Sequence, residues 1–182
     1  IKVLKPDINK SSAYFTSEES GIRYGLLAIK TLGMGVISGI LKERNENGEF
    51  KNLQDFCSRS AEIGVSKVSV EYLIKSGAFD GLGANRRQMI SNYEFLMDSA
   101  SSFSKSNLEG QMGLFSEENS PTAVDVEFKP EEEYRYADLL CFEKFATGMY
   151  ISGHPADPYK TALKLMHIPD ALHVQSNLKE GV

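Results

Sequence analysis

Gly33 and Gly35 lie at a point where the sequence could bind an anion. They occur within residues 28–41, AIKTLGMGVISGIL, between an apolar segment and the start of an apolar helical pattern. Glycines permit a tight turn and a close approach of the backbone to a ligand, and the first turn of the following helix offers free N–H groups. The pattern predicts a phosphate-binding turn, although a plain helix–helix connection would use the same glycines. The candidate contacts of this first turn are Lys30, Thr31, Gly33, Met34 and Gly35.

A looser copy of this arrangement occupies residues 71–90, EYLIKSGAFDGLGANRRQMI. An apolar helical pattern ends in Lys-Ser-Gly, and a glycine-rich turn leads into the next helix. Arg86 and Arg87 fall in the first turn of that helix, where a cation opposes the helix dipole. Their position predicts a bound phosphate, unless they only form a solvated face. The candidate contacts of this second turn are Lys75, Ser76, Gly77, Asn85 and Arg86.

The two turns in succession resemble a tandem helix-hairpin-helix domain. The resemblance implies that paired hairpins hold the backbone of double-stranded DNA without reading its sequence, because backbone N–H groups and Lys or Arg side chains engage phosphates. The second turn departs from the short Gly-x-Gly pattern of that family, since GAFDGLG is longer and carries Phe79 and Asp80. The first turn is therefore the stronger prediction.

Residues 99–122 form a serine-rich stretch that predicts a mobile linker. Within it, Leu114 and Phe115 stand side by side in polar surroundings. The segment Gln-Met-Gly-Leu-Phe resembles the pentapeptide by which bacterial proteins dock on the replication sliding clamp. Leu114 and Phe115 would be apolar anchors of a peptide that orders on binding; alternatively, they pack back on the domain. The candidate clamp-binding residues are Gln111, Met112, Gly113, Leu114 and Phe115.

Composition is that of an ordinary globular protein, with 41% apolar and 25% charged residues and a net charge of −5 over 182 residues. Residues 1–98 carry 13 Lys or Arg and 12 Asp or Glu, a net +1, whereas residues 99–182 carry 7 and 13, a net −6. A nucleic-acid surface would therefore be local and in the first half. Cys57 and Cys141 fit neither a disulfide framework nor a metal site, which favours a cytoplasmic setting. No apolar run suggests a membrane partner, and the start at Ile1 without Met suggests a segment of a longer protein.

The elements that hold the two turns are predicted to be mainly helical. Short strands are expected around Lys2–Leu4, Ala13–Thr16 and Ile22–Tyr24. Apolar spacing predicts helices from Leu26 to Gly33, from Gly35 to Asn47, around Leu53–Cys57, from Val68 to Gly77 and from Asn85 to Ala100.

Two further helices are predicted after the linker. Pro130 and the three glutamates at 131–133 predict a helix start, because proline suits the first helical position and carboxylates favour the positive end of the dipole. A last helix is expected to begin after Asp157, which would be its cap, and to end at about Met166. The predicted fold is thus mainly α: a tandem helix-hairpin-helix domain with short N-terminal strands, a mobile linker and two C-terminal helices. No catalytic or metal-ligating residues are predicted.

The order of these segments resembles the bacterial replicative DNA polymerase III alpha subunit of family C, the DnaE type. KPDIN is followed by GIRYGLLAIKTLG, EFKNLQDFC, LIKSGAFDGLG with NRR, GQMGLF and EKFATGMYISGHPADPY. The resemblance covers nearly the whole chain. It implies that residues 1–24 are the tail of the fingers region and that residues 25–104 are the tandem hairpin domain. Residues 105–129 would be a linker with the clamp-binding peptide. Residues 130–182 would be a helical segment that leads to a missing OB-fold.

The resemblance also implies a role and partners. The parent chain would be a DNA-directed DNA polymerase whose magnesium ions are held by carboxylates N-terminal to this segment. The segment itself would be non-catalytic, without a cofactor of its own. Its partners would be double-stranded DNA, the bacterial sliding clamp and other replicase subunits. Two alternatives stay open on the residues alone: a helix-hairpin-helix module of a DNA repair protein, and a purely structural helical domain without affinity for DNA.

Overall fold

The structure, a computed structural model, describes residues 2–108, 126–166 and 168. The predicted clamp-binding residues Gln111–Phe115 and most of the predicted linker lie outside these ranges. The mainly helical fold with short N-terminal strands is confirmed. Contacts divide the chain into one unit at Ile1–Ser152 and a second at Gly153–Val182, so they do not separate residues 1–24 from the hairpins.

Three short strands form a small mixed sheet in the order β1-β3-β2. Strand β1 spans Val3–Leu4, β2 spans Thr16–Glu18 and β3 spans Gly21–Arg23. β3 pairs in parallel with β1 and antiparallel with β2. The strand predicted at Ala13–Thr16 is shifted towards β2, because the carbonyl groups of Ser12 and Ala13 accept hydrogen bonds from the N–H groups of Leu26 and Leu27 (3.0 Å each).

Four helices and one 3-10 helix build the two hairpins. The 3-10 helix spans Leu26–Ala28, α1 spans Met34–Asn47, α2 spans Leu53–Ser60, α3 spans Lys67–Ser76 and α4 spans Arg86–Leu108. The side chain of Asn52 caps α2 by accepting from the N–H of Asp55 (2.8 Å), and the side chain of Ser66 caps α3 by accepting from Ser69 (3.1 Å).

Two helix ends differ from the prediction. The helix predicted from Leu26 to Gly33 ends at Ala28, because the N–H of Lys30 donates to Ala146 O (3.0 Å) rather than to its own helix. Helix α4 continues past Ala100 to Leu108, into the stretch predicted as linker. The helix accommodates serine at these positions, because a serine hydroxyl can bond to a carbonyl of the same helix. The hydroxyl of Ser102 donates to Asp98 O in this way (2.9 Å).

The segment after the gap packs against the hairpins. Val126 and Phe128, which the prediction assigned to the linker, contact the hydrophobic core, and the N–H of Val126 donates to Gln54 Oε1 (3.0 Å). Helix α5 spans Tyr136–Thr147. The helix start predicted at Pro130 is wrong, and residues 130–135 have no regular structure because their polar groups bond to α4.

The second unit contains a 3-10 helix at Asp157–Tyr159 followed by α6 at Lys160–Leu165. The last predicted helix is present, but Asp157 does not cap α6. Its carboxylate accepts from the N–H of His154 (2.6 Å) and pairs with Lys160 (2.7 Å).

One hydrophobic core joins the N-terminal segment and the hairpins, and hydrogen bonds to backbone carbonyl groups add to these connections and reach the end of α5. Tyr24 donates its hydroxyl to Thr147 O (3.0 Å), and the N–H of Ile8 donates to Ala78 O (2.9 Å). Both cysteine thiols are free, and burial raises the pKa of Cys57 to about 12. None of the helices in the described ranges is long and apolar enough to cross a membrane. The largest fully buried side chains are Tyr24, Phe50, Phe56, Phe79, Ile8, Leu26, Ile29, Ile37, Ile40, Leu53, Leu73 and Ile74.

Candidate nucleic-acid interface

The first turn leaves the N-terminus of α1 open. Gly33 is the N-cap residue, and among the described residues no side chain caps the helix and no acidic residue lies in its first turn. A Cβ placed on Gly33 or Gly35 would meet no described atom within 4 Å, and Met34 between them is 40% exposed. Because the first N–H groups of a helix have no partner within the helix, this end can accept an anion.

Lys30 and Thr31 connect this turn to neighbouring helices. Thr31 has a φ of 70°, the one positive φ of a non-glycine residue in the described ranges, and its carbonyl accepts from Ser69 Oγ (3.4 Å). Such a backbone costs about 1–3 kcal/mol and persists where surrounding contacts impose it. Lys30 Nζ donates to Phe145 O (2.8 Å) near the end of α5 while staying exposed. The ammonium group is thus held at the end of α5.

The second turn is filled by a side chain of the same chain, that of Arg86. Gly77 ends α3 with a φ of +83°, and the guanidinium of Arg86 packs against it. Arg86 is 3% exposed and forms two hydrogen bonds with the Asp80 carboxylate (2.7 and 2.8 Å). It also donates to Lys75 O (3.1 Å) and lies 3.3 Å from Glu143 Oε1. The positive charge predicted to meet a phosphate is therefore neutralised within the chain.

The N-terminus of α4 already has its anion, the carboxylate of Glu133. The two oxygens of Glu133 accept from the N–H groups of Arg86 (2.9 Å) and Arg87 (3.3 Å). Asn85 and Gln88 form a reciprocal capping box, with N–H to side-chain oxygen distances of 3.1 and 2.9 Å. The Asn85 side chain also donates to Glu131 O (2.7 Å). The backbone N–H groups that the first turn leaves open are thus satisfied at the second.

The Arg86–Asp80 pair shifts the ionisation of both groups. Burial alone would raise the pKa of Asp80, but the hydrogen bonds and charge of Arg86, aided by Lys5, hold it below its ordinary value. Burial alone would lower the pKa of Arg86, but Asp80 and Glu143 raise it. Both groups are therefore charged at neutral pH, and Glu143, which is 1% exposed, further accepts from the N–H groups of Ile151 (3.2 Å) and Ser152 (2.9 Å).

The remaining residues of the second turn divide between burial and surface. Ser76 is buried, and its hydroxyl donates to Leu73 O (2.8 Å). Lys75 pairs with Glu71 (2.5 Å) and lies 5.0 Å from the centre of the Phe145 ring. Since Lys30 Nζ is 5.7 Å from the centre of the same ring, the structure brings together the two lysines that were predicted from separate turns.

Sequence reasoning missed Glu133, Glu143 and Phe145. No local pattern identifies the two glutamates, because their partners lie 46, 47 and 57 residues away. A signal for Phe145 exists in its spacing from Phe142, since residues three apart share one helix face. In the ranges the structure describes, no group of three or more His, Cys, Asp or Glu side chains could hold a metal ion.

Comparison with known proteins agrees with this geometry. A family model described as a helix-hairpin-helix motif matches residues 1–89. The chain is similar to DNA polymerase III subunit alpha of Borreliella burgdorferi, with 41% identity over 165 residues and 90% of this chain. For Bacillus subtilis the identity is 35% over 179 residues and 98% of this chain, and for Campylobacter jejuni it is 33% over 186 residues and 100%.

The chain spans only part of these relatives, namely 14%, 16% and 15% of their respective lengths. The matches nevertheless cover almost all of this chain, and the family model falls on the part that contains both turns. The chain is therefore a DnaE-type segment that belongs to the family of bacterial DNA polymerase III alpha subunits.

Proposed function

We propose that this segment binds the sugar–phosphate backbone of double-stranded DNA through its first turn. The observation that carries the proposal is the open N-terminus of α1, with Gly33 as an N-cap that lacks a side-chain cap and open space above Gly33 and Gly35. A phosphate oxygen can accept from the free N–H groups there, and Lys30, three residues before Gly33 in the chain, adds a cation. The proposed contacts are Lys30, Thr31, Gly33, Met34 and Gly35.

Contacts of this kind bind DNA without sequence preference. Backbone N–H groups and a lysine recognise phosphates, which are the same at every base pair. Each neutralised phosphate contributes about −0.9 to the slope of log affinity against log salt concentration. We therefore expect weak, salt-dependent binding by the segment alone, with no difference between duplexes of unrelated sequence.

The whole protein is proposed to be a DNA-directed DNA polymerase that depends on magnesium ions, in keeping with the names of its relatives. In this proposal the segment has no catalytic residue and holds the product duplex near the active site. The similarity to polymerase subunits over 86–100% of the chain favours this role over a DNA repair module. A structural domain without DNA affinity is the alternative that direct binding must decide.

A second proposed contact is the sliding clamp, bound by Gln111, Met112, Gly113, Leu114 and Phe115. This proposal rests on the pentapeptide sequence alone. Titration of a bacterial sliding clamp with the 182-residue chain tests it by comparing the wild type with Leu114→Ala/Phe115→Ala. We expect the double variant to lose binding, because the apolar anchors carry most of the affinity. Ser116→Ala, just outside the pentapeptide, should bind as the wild type does. Equal affinity of all three chains would refute the assignment.

The duplex proposal is tested by placing a carboxylate at the open helix end. Gly35→Glu should stabilise α1, because an acidic side chain favours the positive end of a helix and glycine is a poor helix former. It should also weaken binding to a short blunt duplex by about tenfold relative to Gly35→Gln, since the carboxylate repels the phosphate. Gly35→Gln is the matched control, with the same bulk and no charge. Equal duplex affinity of the two variants would contradict the proposal.

A further inference from the structure

Three cations and three aromatic rings follow one another in an unbroken row of contacts, which we call the cation–aromatic strip: Lys30, Phe145, Lys75, Phe142, Tyr134 and Arg87. The ammonium groups lie 5.7 Å (Lys30) and 5.0 Å (Lys75) from the centre of the Phe145 ring. Lys75 is 5.6 Å from the Phe142 ring, the Phe142 and Tyr134 rings are 5.0 Å apart, and Arg87 is 4.7 Å from the Tyr134 ring.

Every member of the strip is at least partly exposed. Helix α5 buries Leu140, Glu143 and Ala146, and Phe145 contacts Tyr72 of α3, with 5.1 Å between the ring centres. Phe145 is 50% exposed, although burial of an aromatic ring is favourable. A partly exposed row of aromatic rings and cations indicates a surface that a partner covers.

The combination of rings and cations favours one chemical class of partner. Flat apolar faces suit nucleobases, and ammonium or guanidinium groups next to them suit the phosphates that link those bases. Base pairs in a duplex stack on one another and leave no face free for a protein ring. The strip therefore fits unpaired nucleotides, about one base for each ring.

Charge on the strip is moderate. Glu71 is paired with Lys75 at 2.5 Å, and the carboxylate of Glu133 accepts from the N–H of Arg87. The rings should therefore contribute more of the affinity than the cations. This distribution predicts a shallower salt dependence than that of a wholly basic surface.

We propose that the cation–aromatic strip binds unpaired nucleotides of a single-stranded DNA segment. Bases stack on Phe145, Phe142 and Tyr134, and phosphates of the same strand contact Lys30, Lys75 and Arg87. Because Lys30 belongs both to the strip and to the first turn, the single strand lies next to the duplex. The strip thus adds a binding mode that the duplex proposal does not include, and apart from Lys30 it takes its affinity from different residues.

The test is titration of a fluorescein-labelled oligothymidine with the 182-residue chain, followed by fluorescence anisotropy. Phe145→Leu keeps an apolar side chain and removes the ring, so we expect affinity to fall by about 5- to 150-fold, the range that corresponds to the loss of one stacked base. Phe145→Tyr keeps the ring and should restore binding. The matched control is Phe95→Leu, at a residue of α4 that is 57% exposed, which should bind as the wild type does.

An abasic strand of the same length separates stacking from charge. It should bind the wild type more weakly than oligothymidine binds Phe145→Leu, because it cannot stack on any of the three rings, and Phe145→Leu should not weaken it further. Circular dichroism of each variant checks that the helices remain. Equal oligothymidine affinity of the wild type and Phe145→Leu would overturn the proposal. Absence of any binding by the wild type would overturn it too, and would assign the strip to a protein partner.

The two proposals fail separately. Gly35→Glu should weaken duplex binding and leave oligothymidine binding unchanged, whereas Phe145→Leu should do the opposite. If Gly35→Glu does not weaken duplex binding while Phe145→Leu weakens oligothymidine binding, the duplex site is refuted and the strip is kept. If Phe145→Leu does not weaken oligothymidine binding while Gly35→Glu weakens duplex binding, the strip is refuted and the duplex site is kept.

Discussion

The two glycine-rich turns of this chain are alike in sequence and opposite in charge environment. At the first turn, α1 begins at Met34 without a side-chain cap or an acidic residue among the described residues. At the second, the N-terminus of α4 is bound by Glu133, and the adjacent Arg86 is neutralised by Asp80 and Glu143. The difference teaches that a glycine turn before a helix indicates a site for an anion. The rest of the chain decides whether that anion is a bound ligand or a carboxylate of the same chain.

The largest expected effect comes from removal of the buried cation of the second turn. Arg86→Ala removes the buried cation that Glu143 and Asp80 share, so the free energy of unfolding should fall by about 3–5 kcal/mol, measured by urea denaturation. The matched control is the neighbouring Arg87→Ala, which removes a cation stacked on Tyr134 and should lower the same free energy by about 0.5–1 kcal/mol. Similar losses for both variants would show that the second turn is not held together by this cluster.

A smaller effect separates the glycines of the two turns. Gly77→Ala should lower the free energy of unfolding by about 1–2 kcal/mol, because the residue has a positive φ and its new methyl group would meet the Arg86 guanidinium. Gly35→Ala should raise it by about 0.5 kcal/mol, since the position is open and helical. Thermal denaturation of both variants measures the difference, and changes of the same sign would contradict the contrast between an open and a packed turn.

A further effect concerns the carboxylate at the N-terminus of α4. Glu133→Gln should lower the free energy of unfolding by about 0.3–1 kcal/mol at low salt, because the negative charge at the positive end of the helix is lost, and by less at high salt. The exposed neighbouring variant Glu132→Gln serves as the control and should change stability little. If chemical denaturation gives equal values for the two variants, Glu133 is not the anion of this helix.

The smallest expected effect is a dependence on acid pH. The pKa of Asp80 is lowered in the folded state, so its ion pair stabilises the fold above the ordinary aspartate pKa of about 4, and this contribution is lost as the pH falls through the lower folded-state value. The effect is small because the side chain is one-third exposed. Urea midpoints between about pH 5 and pH 2 should fall less steeply for Asp80→Asn than for the wild type; parallel curves would exclude Asp80 as the cause.

Much of the fold was predictable because its determinants are local. Apolar spacing and glycine positions predicted the hairpin helices, and Asn47-Gly48 and Gly77 mark the ends of α1 and α3 as expected. The three glutamates at 131–133 show where local reasoning ends. Their charge does suit the positive end of a helix, but Glu133 is bound to α4 and not to the helix that follows it.

The site was predictable in part for the same reason. Lys30 and Gly35 lie within one short segment, and the structure keeps them together at an exposed turn. The predicted phosphate contact of Arg86 required knowledge of Glu143, which is 57 residues away. The strip was also missed, because Phe145 meets Lys30 and Lys75 only after three separate elements pack together. Contacts between distant segments decide which charges remain available to a ligand.

Amide resonances of the two turns, followed by NMR during titration of the isotope-labelled 182-residue chain with a short blunt duplex, test the central contrast most directly. If the first turn binds phosphate, the amide signals of Gly33, Met34 and Gly35 should shift, and those of Gly77 and Arg86 should stay in place. Shifts at Gly77 and Arg86 with none at Gly33–Gly35 would contradict the account. So would a duplex that binds without moving the amide signals of either turn.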